Sequence, residues 1–418
     1  MTTRTPADDT PRQAFAARLA AEPGVHDHQV VAALAAGHRD RLIPAAFVPA
    51  DTGPRPTKWS TLTADTDPAR HQELVWGMDQ VVVELAGLAA ESATPRTVHQ
   101  GRPTAQSSGA GLVALALQDL QPLAGTRLLE LGTCTGWLAA AGAALTGRQV
   151  TGIEAQPEIA RRTTMRLAAI GADVRIVAGD ALRLGFGGPA RPWNRIAASF
   201  AVPSLPKPWL DALAEGGRMT ATLSQGAPGW HLNALVERDG AGRLAGTVSA
   251  GLWGHVPARG VDWLPVPDRP AGAGMSRSAV LAPPHFGERG FWTLLGLSLP
   301  GVRRHWSPGD DTVVLVGSAD GSRAHVAPDG STATCWGPTD LWALAEHLHE
   351  RWTSAGRASS PWTSPGSTRS STPVPRSDGP SACPHPGTRQ AVPMPSDQAN
   401  SDAPTQGPVR ADGPPHGR

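Results

Sequence analysis

The sequence predicts an α/β fold of the Rossmann-like kind, a parallel sheet with an antiparallel edge, and three observations carry that prediction. Residues 126–136 read Thr-Arg-Leu-Leu-Glu-Leu-Gly-Thr-Cys-Thr-Gly. A short apolar strand ends in Glu130, a polar turn lies between Gly132 and Gly136, and an Ala-rich helix over 137–145 follows at once. Strand, glycine turn and helix N-terminus in that order let a backbone approach a nucleoside closely. A second run, Gln-Val-Thr-Gly-Ile-Glu, ends at Glu154. That is roughly the 20-residue spacing that puts a strand-tip carboxylate beside ribose hydroxyls. A third run, Val-Arg-Ile-Val-Ala-Gly-Asp, ends at Asp180.

The glycine spacing selects the nucleoside. A dinucleotide site uses G-x-G-x-x-G, which seats a pyrophosphate on the helix N-terminus. Here the spacing is G-x-x-x-G with Cys134 in the middle, and Glu130 stands two residues before the first glycine. A carboxylate so close suits a cationic, phosphate-free ligand, and S-adenosylmethionine, with a sulfonium and an ammonium group, is one.

The remaining elements follow in order. Residues 11–50 alternate Ala/Leu-rich helical stretches (14–21, 30–37) with an exit punctuated by Pro44 and Pro49. Residues 51–105 read as loop-rich apart from a helix over 71–91. From 106 to 250 strands and helices alternate as a parallel sheet requires. The fourth and fifth strands fall at 195–200 and 218–223, with a helix over 209–213 between them and antiparallel strands at 234–237 and 247–252. Residues 255–355 carry apolar runs of their own (291–299, 312–316, 341–349), enough for a small α+β accessory domain. From Ser359 on, Pro, Ser, Gly and Thr dominate and Leu, Ile and Phe are missing, so a disordered tail is expected. The expected divisions are a helical and loop segment over 1–70, the nucleoside-binding domain over 71–253, the accessory domain over 254–356 and the tail over 357–418.

Composition narrows the function. Lys plus Arg is 37 against 36 for Asp plus Glu, a net charge of +1, so no strong field attracts nucleic acid or an anionic membrane. The three cysteines, Cys134, Cys335 and Cys383, are scattered without a C-x-x-C, which suggests neither a zinc site nor a disulfide framework. The polar N-terminus lacks a signal-like apolar region and no apolar run reaches membrane-span length. A soluble, cytoplasmic protein with no metal site is expected.

Residues 127–223 resemble the core of the protein-L-isoaspartate (D-aspartate) O-methyltransferase family. The segments that carry the likeness are Leu-Leu-Glu-Leu-Gly-Thr-Cys-Thr-Gly-Trp, Val-Thr-Gly-Ile-Glu, Ala-Gly-Asp-Ala, Pro-Trp-Asn-Arg-Ile, Pro-Lys-Pro-Trp-Leu and Glu-Gly-Gly-Arg-Met. Upstream, Gln-Ser-Ser-Gly-Ala-Gly-Leu-Val-Ala (106–114) is similar to the family's substrate-side segment. Val75-Trp76, His-Val-Pro-Ala-Arg-Gly (255–260) and Asp-Leu-Trp (340–342) resemble an enlarged branch whose members accompany ATP-grasp ligases in peptide maturation. The resemblance implies a class I S-adenosylmethionine-dependent methyltransferase fold. It implies cofactor contacts from Glu130, Gly132, Thr133, Gly136, Glu154, Asp180 and Ala181, with Ser108 as the substrate serine. The implied substrate is an aspartyl or isoaspartyl carboxylate of a protein or ribosomally made peptide, and the implied partners are an ATP-grasp ligase and a precursor peptide.

The chain departs from the family pattern in places. Cys134 replaces the middle glycine, Ser108-Gly109-Ala110 a Ser-Gln-Pro, Gly179-Asp180-Ala181 a Gly-Asp-Gly, and Trp193-Asn194-Arg195 a Tyr-Asp-Arg. With 14 Trp and no Tyr, aromatic positions fall to Trp76, Trp137 and Trp193.

Carboxylate methylation needs little side-chain chemistry, because the nucleophile is already ionised at neutral pH. The protein supplies alignment, which contributes on the order of 7–11 kcal/mol. A hydroxyl such as that of Ser108, or of Ser107 in its place, orients an anion without binding it too well. Competing roles stay open at this level. Ser108 as a helix N-cap is one, and Asp180 as a cap rather than an adenine contact is another. Cys134 reads as a small buried filler, and His99, His347 and His349 as surface residues. Two other functions also stay open: methylation of a small molecule, and a non-catalytic subunit of a peptide maturation complex.

Overall fold

The computed structural model describes residues 10–51, 57–95, 97–183, 192–224, 226, 231–250, 254–258, 272–284, 289–306, 312–317, 320–354 and 390–392. The chain begins with helices α1 (Thr10–Ala20), α2 (His28–Ala36) and α3 (Arg39–Leu42). Asp27 caps α2, its carboxylate accepting the Gln29 and Val30 N–H groups at 2.9 and 3.2 Å. Strands β1 (Ala45–Pro49) and β2 (Lys58–Thr63) follow, then α4 (Pro68–Val75), β3 (Val81–Leu85), β4 (Leu88–Ala89), β5 (Val98–Gln100) and β6 (Pro103–Ser107). Their sheet runs β4-β3-β1-β2-β5, with β6 also paired to β3.

This region corrects the sequence reading. The helix expected over 71–91 ends at Val75, and Val81-Val82-Val83 forms a strand because β-branched side chains fit a pleated surface better than a helix. The loop-rich stretch is a sheet, and it joins strands from both sides of residue 70.

The central sheet is Rossmann-like. Its elements are α5 (Ala110–Leu120), β7 (Leu128–Leu131), α6 (Trp137–Thr146), β8 (Val150–Glu154), α7 (Pro157–Ala169), β9 (Val174–Ala178), β10 (Trp193–Val202), α8 (Lys207–Asp211), β11 (Leu213–Ser224), β12 (His231–Arg238) and β13 (Leu244–Ala250). The strand order is β13-β12-β11-β10-β7-β8-β9, with β9-β8-β7-β10-β11 parallel and β12 and β13 antiparallel. Alternation sends Leu129, Leu131, Ile153 and Ile196 to one face, where they pack with Trp209. Leu128, Val150 and Ala197 go to the other, against α1, α2, α5 and α6. The order reverses between β7 and β10, and ligands bind beyond the strand ends at such a point.

A third sheet, β14 (Met275–Arg277), β15 (Val302–Trp306), β16 (Val313–Gly317), β17 (Arg323–Val326) and β18 (Ala333–Trp336), is antiparallel in the order β14-β18-β17-β16-β15. Helices α9 (Arg289–Ser298) and α10 (Leu341–Ser354) share its core through Phe291, Trp292, Trp342 and Trp352. His349 is not a free surface residue, since its ring meets Phe291 edge-on at 5.2 Å. The expected disordered tail lies largely outside the described residues. Within it, β19 (Gln390–Val392) pairs its backbone with β13, so that stretch is strand, not coil; the open edge of β13 offers it unpaired N–H and C=O groups. Among the described residues no helix is long and apolar enough to cross a membrane.

Candidate cofactor and acceptor site

A cavity of about 350 Å³ opens at the switch point, lined by the turn after β7, the ends of β8 and β10, and the strand β6. The turn depends on its glycines. Gly132 (φ +82°) and Gly136 (φ +81°) both sit in the left-handed region. A Cβ on Gly132 would stand 2.7 Å from the Phe200 ring, and one on Gly136 would stand 2.9 Å from Leu167. Cys134 also takes a positive φ, 47°, which costs a side-chain-bearing residue energy. It is held there from two sides: its N–H donates to Glu154 Oε2 at 2.9 Å, and its carbonyl accepts the Thr163 hydroxyl. Burial pushes its thiol pKa up, so Cys134 is a neutral filler and not a nucleophile.

Glu130 is 2% exposed and faces the cavity. Ser199 Oγ, at the end of β10, donates to its Oε1 at 3.1 Å, while its Oε2 is buried without a hydrogen-bond partner. Burial, countered by bonds from Ser199 and the Ala139 backbone N–H and reinforced by the nearby Glu154 charge, raises the Glu130 pKa to about 8. Glu154 accepts the Cys134 N–H on one oxygen and the Gln156 N–H, at 3.0 Å, on the other. A carboxylate has about four acceptor positions, so two remain for a ligand.

The other predicted residues fall as follows. Thr133 is buried beneath the turn, against Gly152, and lines the cavity. Asp180 lines it too, while its Oδ1 accepts the Leu182 N–H at 2.9 Å, so it both turns the chain and faces the ligand space. Ala181 is buried there, its carbonyl accepting Trp209 Nε1 at 2.7 Å. Gly136 caps α6 and does not line the cavity. Ser108 lines it, and Gly109, not Ser108, is the N-cap of α5. Ser107 also lines the cavity; it is buried and accepts the Thr135 hydroxyl at 3.4 Å, a bond that leaves its own O–H able to donate. His99 lies away from the cavity, edge-on to Phe47.

Several lining residues were not predicted. Trp137, Ser199 and Phe200 line the cavity. Val256, Pro257 and Ala258 form a wall fixed to β10: Ala201 N–H donates to the Val256 carbonyl at 2.7 Å, and Ala258 N–H to the Ala201 carbonyl at 2.8 Å. His255 anchors that wall through Thr222 at 2.8 Å, and burial lowers its pKa to about 4, so it stays neutral. Arg259 and Gly260 of the same motif lie outside the described residues. Among the described residues no cluster of His, Cys, Asp and Glu could hold a metal.

The geometry fits S-adenosylmethionine. Glu130 offers a buried, unpaired oxygen to a cation, Glu154 offers two free acceptor positions to a diol, and the Gly132 and Gly136 turn leaves backbone where side chains would intrude.

Comparison with known proteins agrees. Residues 90–246 match the family described as protein-L-isoaspartate(D-aspartate) O-methyltransferase (PCMT). Protein-L-isoaspartate O-methyltransferase 2 of Archaeoglobus fulgidus is 34% identical over 155 residues, 36% of this chain and 67% of that protein. The protein-L-isoaspartate O-methyltransferase of Aeropyrum pernix is 32% identical over 166 residues, 38% of this chain and 60% of that one. The matched segment thus spans 60–67% of these relatives' length. A solved protein-L-isoaspartate O-methyltransferase is similar over 83% of this chain and 93% of its own, at 18% identity and a TM-score of 0.48.

Proposed function

Because this chain belongs to the protein-L-isoaspartate (D-aspartate) O-methyltransferase family, we propose that it methylates an isoaspartyl or aspartyl carboxylate of a protein or peptide, using S-adenosylmethionine. The observation that carries the reading is the pairing, across one cavity, of a buried carboxylate with an unpaired oxygen (Glu130) and a hydroxyl-bearing loop (Ser108). S-adenosylmethionine, when bound, supplies a methyl group on a sulfonium, an electrophile that an ionised carboxylate attacks directly. Glu130 and Glu154 hold the cofactor's cationic and ribose ends, and Thr133, Asp180 and Ala181 complete its surroundings. Ser108 donates one hydrogen bond to the acceptor carboxylate, and the wall at Val256–Ala258 limits water around it. No proton has to be removed, so the neutral Cys134 and His255 are compatible with the chemistry.

The finer assignment concerns partners. The sheet β14–β18 with α9 and α10 lies beyond the family match, and a precursor peptide and an ATP-grasp ligase as partners rest on the likeness of Val75-Trp76, the 255–260 stretch and Asp340-Leu341-Trp342 to the enlarged branch. The free thiols Cys134 and Cys335 accord with a reducing, cytoplasmic setting.

Ser108→Ala tests the acceptor side. Losing a hydrogen bond to a charged group costs about 1.5–3 kcal/mol, so kcat/KM for an isoaspartyl peptide should fall roughly 10- to 100-fold. S-adenosylhomocysteine affinity, read by calorimetry, should stay within about twofold, since the substitution acts on alignment. Undiminished turnover in Ser108→Ala removes Ser108 from the site.

A further inference from the structure

We infer that Arg39 is a positioning residue for methyl transfer, tying the main chain at Ser108 to the ring face of Trp137 and so fixing the acceptor loop against the cofactor helix. The inference rests on the reading of Ser108 as the acceptor's donor.

Arg39 opens α3, far from the cavity motifs in sequence, and is fully buried. Its guanidinium donates to three carbonyls: Gly77 at 2.9 Å, Asp79 at 3.2 Å and Ser108 at 3.1 Å. The same group lies 4.3 Å from the centre of the Trp137 ring. Trp137 is the first residue of α6 and lines the cavity, as does Ser108. Trp137 is itself fixed from α2, its Nε1 donating to the Leu34 carbonyl at 3.2 Å. On the acceptor side, Ala110 N–H donates to the Met78 carbonyl at 2.8 Å, which bonds the loops at 77–79 and 108–110 into one unit. Arg39 is the cation that joins this unit to the cofactor helix.

A buried guanidinium is costly where donors go unused, and Arg39 bonds through its two terminal nitrogens while its buried Nε has no hydrogen-bond partner. Among the described residues no carboxylate bonds Arg39; its acceptors are neutral carbonyls and a ring. Folding alone would be served by an apolar side chain of similar volume. What the guanidinium adds is a planar fork that reaches two loops while its face stacks on an indole. Lysine, a point charge on a flexible stem, cannot do both. Misplacement of a reacting group by about 1 Å can cost on the order of 100-fold in rate, so a tether on the carbonyl of Ser108 bears directly on turnover.

The test uses the full chain with Arg39→Lys and Arg39→Ala. In Arg39→Lys, kcat with an isoaspartyl peptide should fall about tenfold or more, while peptide KM and S-adenosylhomocysteine affinity change less than about threefold. Millimolar guanidinium should restore part of kcat in Arg39→Ala. A kcat unchanged in Arg39→Lys overturns the inference. So does a parallel loss of kcat and cofactor affinity that guanidinium leaves untouched, since that marks a general packing role. Hydrogen exchange separates this from the reaction reading. If the wild-type chain methylates no isoaspartyl peptide, the reaction reading fails. Faster exchange at Ala110 and Val113 in Arg39→Lys, with the β7 and β8 amides unchanged, then sustains the tether, and unchanged exchange at Ala110 and Val113 overturns it.

Discussion

Glu154→Ala is expected to weaken S-adenosylhomocysteine binding by roughly a hundredfold or more, the largest single effect on the cofactor side. Each hydrogen bond to a charged acceptor is worth about 1.5–3 kcal/mol, and Glu154 offers two acceptor positions to the ribose. The substitution also frees the Cys134 and Gln156 N–H groups that the carboxylate now accepts. Cys134 holds a positive φ that is unfavourable for a cysteine, so its loop should relax once that bond is gone. Calorimetry reads the effect directly, and an affinity unchanged in Glu154→Ala removes the carboxylate from the ribose site.

The second large effect is a pH dependence of cofactor affinity set by Glu130. In the ligand-free protein its pKa is about 8, raised by burial, so below that value the carboxyl holds a proton. A bound ammonium favours the ionised form, and the proton must leave on binding. Affinity should therefore rise with pH, by roughly tenfold per unit between pH 6 and 7.5. The same shift has the opposite sign for folding without ligand. A carboxyl whose folded pKa is raised contributes stability that is present below its unfolded value and lost as pH rises towards 8. Glu130→Gln should flatten the binding profile and raise the melting temperature of the ligand-free protein more at pH 8 than at pH 5. A wild-type affinity independent of pH over that range contradicts the pairing of Glu130 with the cation.

The glycine turn after β7 and the acids at the strand ends were legible because their physics is local. A strand, a turn that needs left-handed glycines and a strand-tip acid are all written within short windows, and Gly132, Gly136 and Glu154 follow from them. The β3 strand was missed because apolar periodicity over 71–91 fits a helix as well as a strand; the three consecutive valines were the signal that separates them. Arg39, Ser199 and the Val256–Ala258 wall were not legible. Each comes from a different part of the chain, and only tertiary packing brings Ser199 and the wall to the cavity and Arg39 to the Ser108 carbonyl and the Trp137 ring. Ser199 had a faint signal, since it follows Ala198, the residue that pairs with Leu131 at the same end of the sheet as the glycine turn.

The measurement that bears most directly on the proposed reaction is the fate of a labelled methyl group. An aspartyl or isoaspartyl methyl ester has a neighbouring backbone nitrogen able to attack it, closing a succinimide and expelling methanol. Incubation of the full chain with S-adenosylmethionine labelled in its methyl group and an isoaspartyl peptide, or a partner precursor peptide, should label the peptide. Mildly alkaline pH should then release that label as volatile methanol. Label that stays on the peptide through base, as on an alkylated nitrogen or ether oxygen, or no transfer to either peptide, would contradict the carboxylate chemistry assigned to this site.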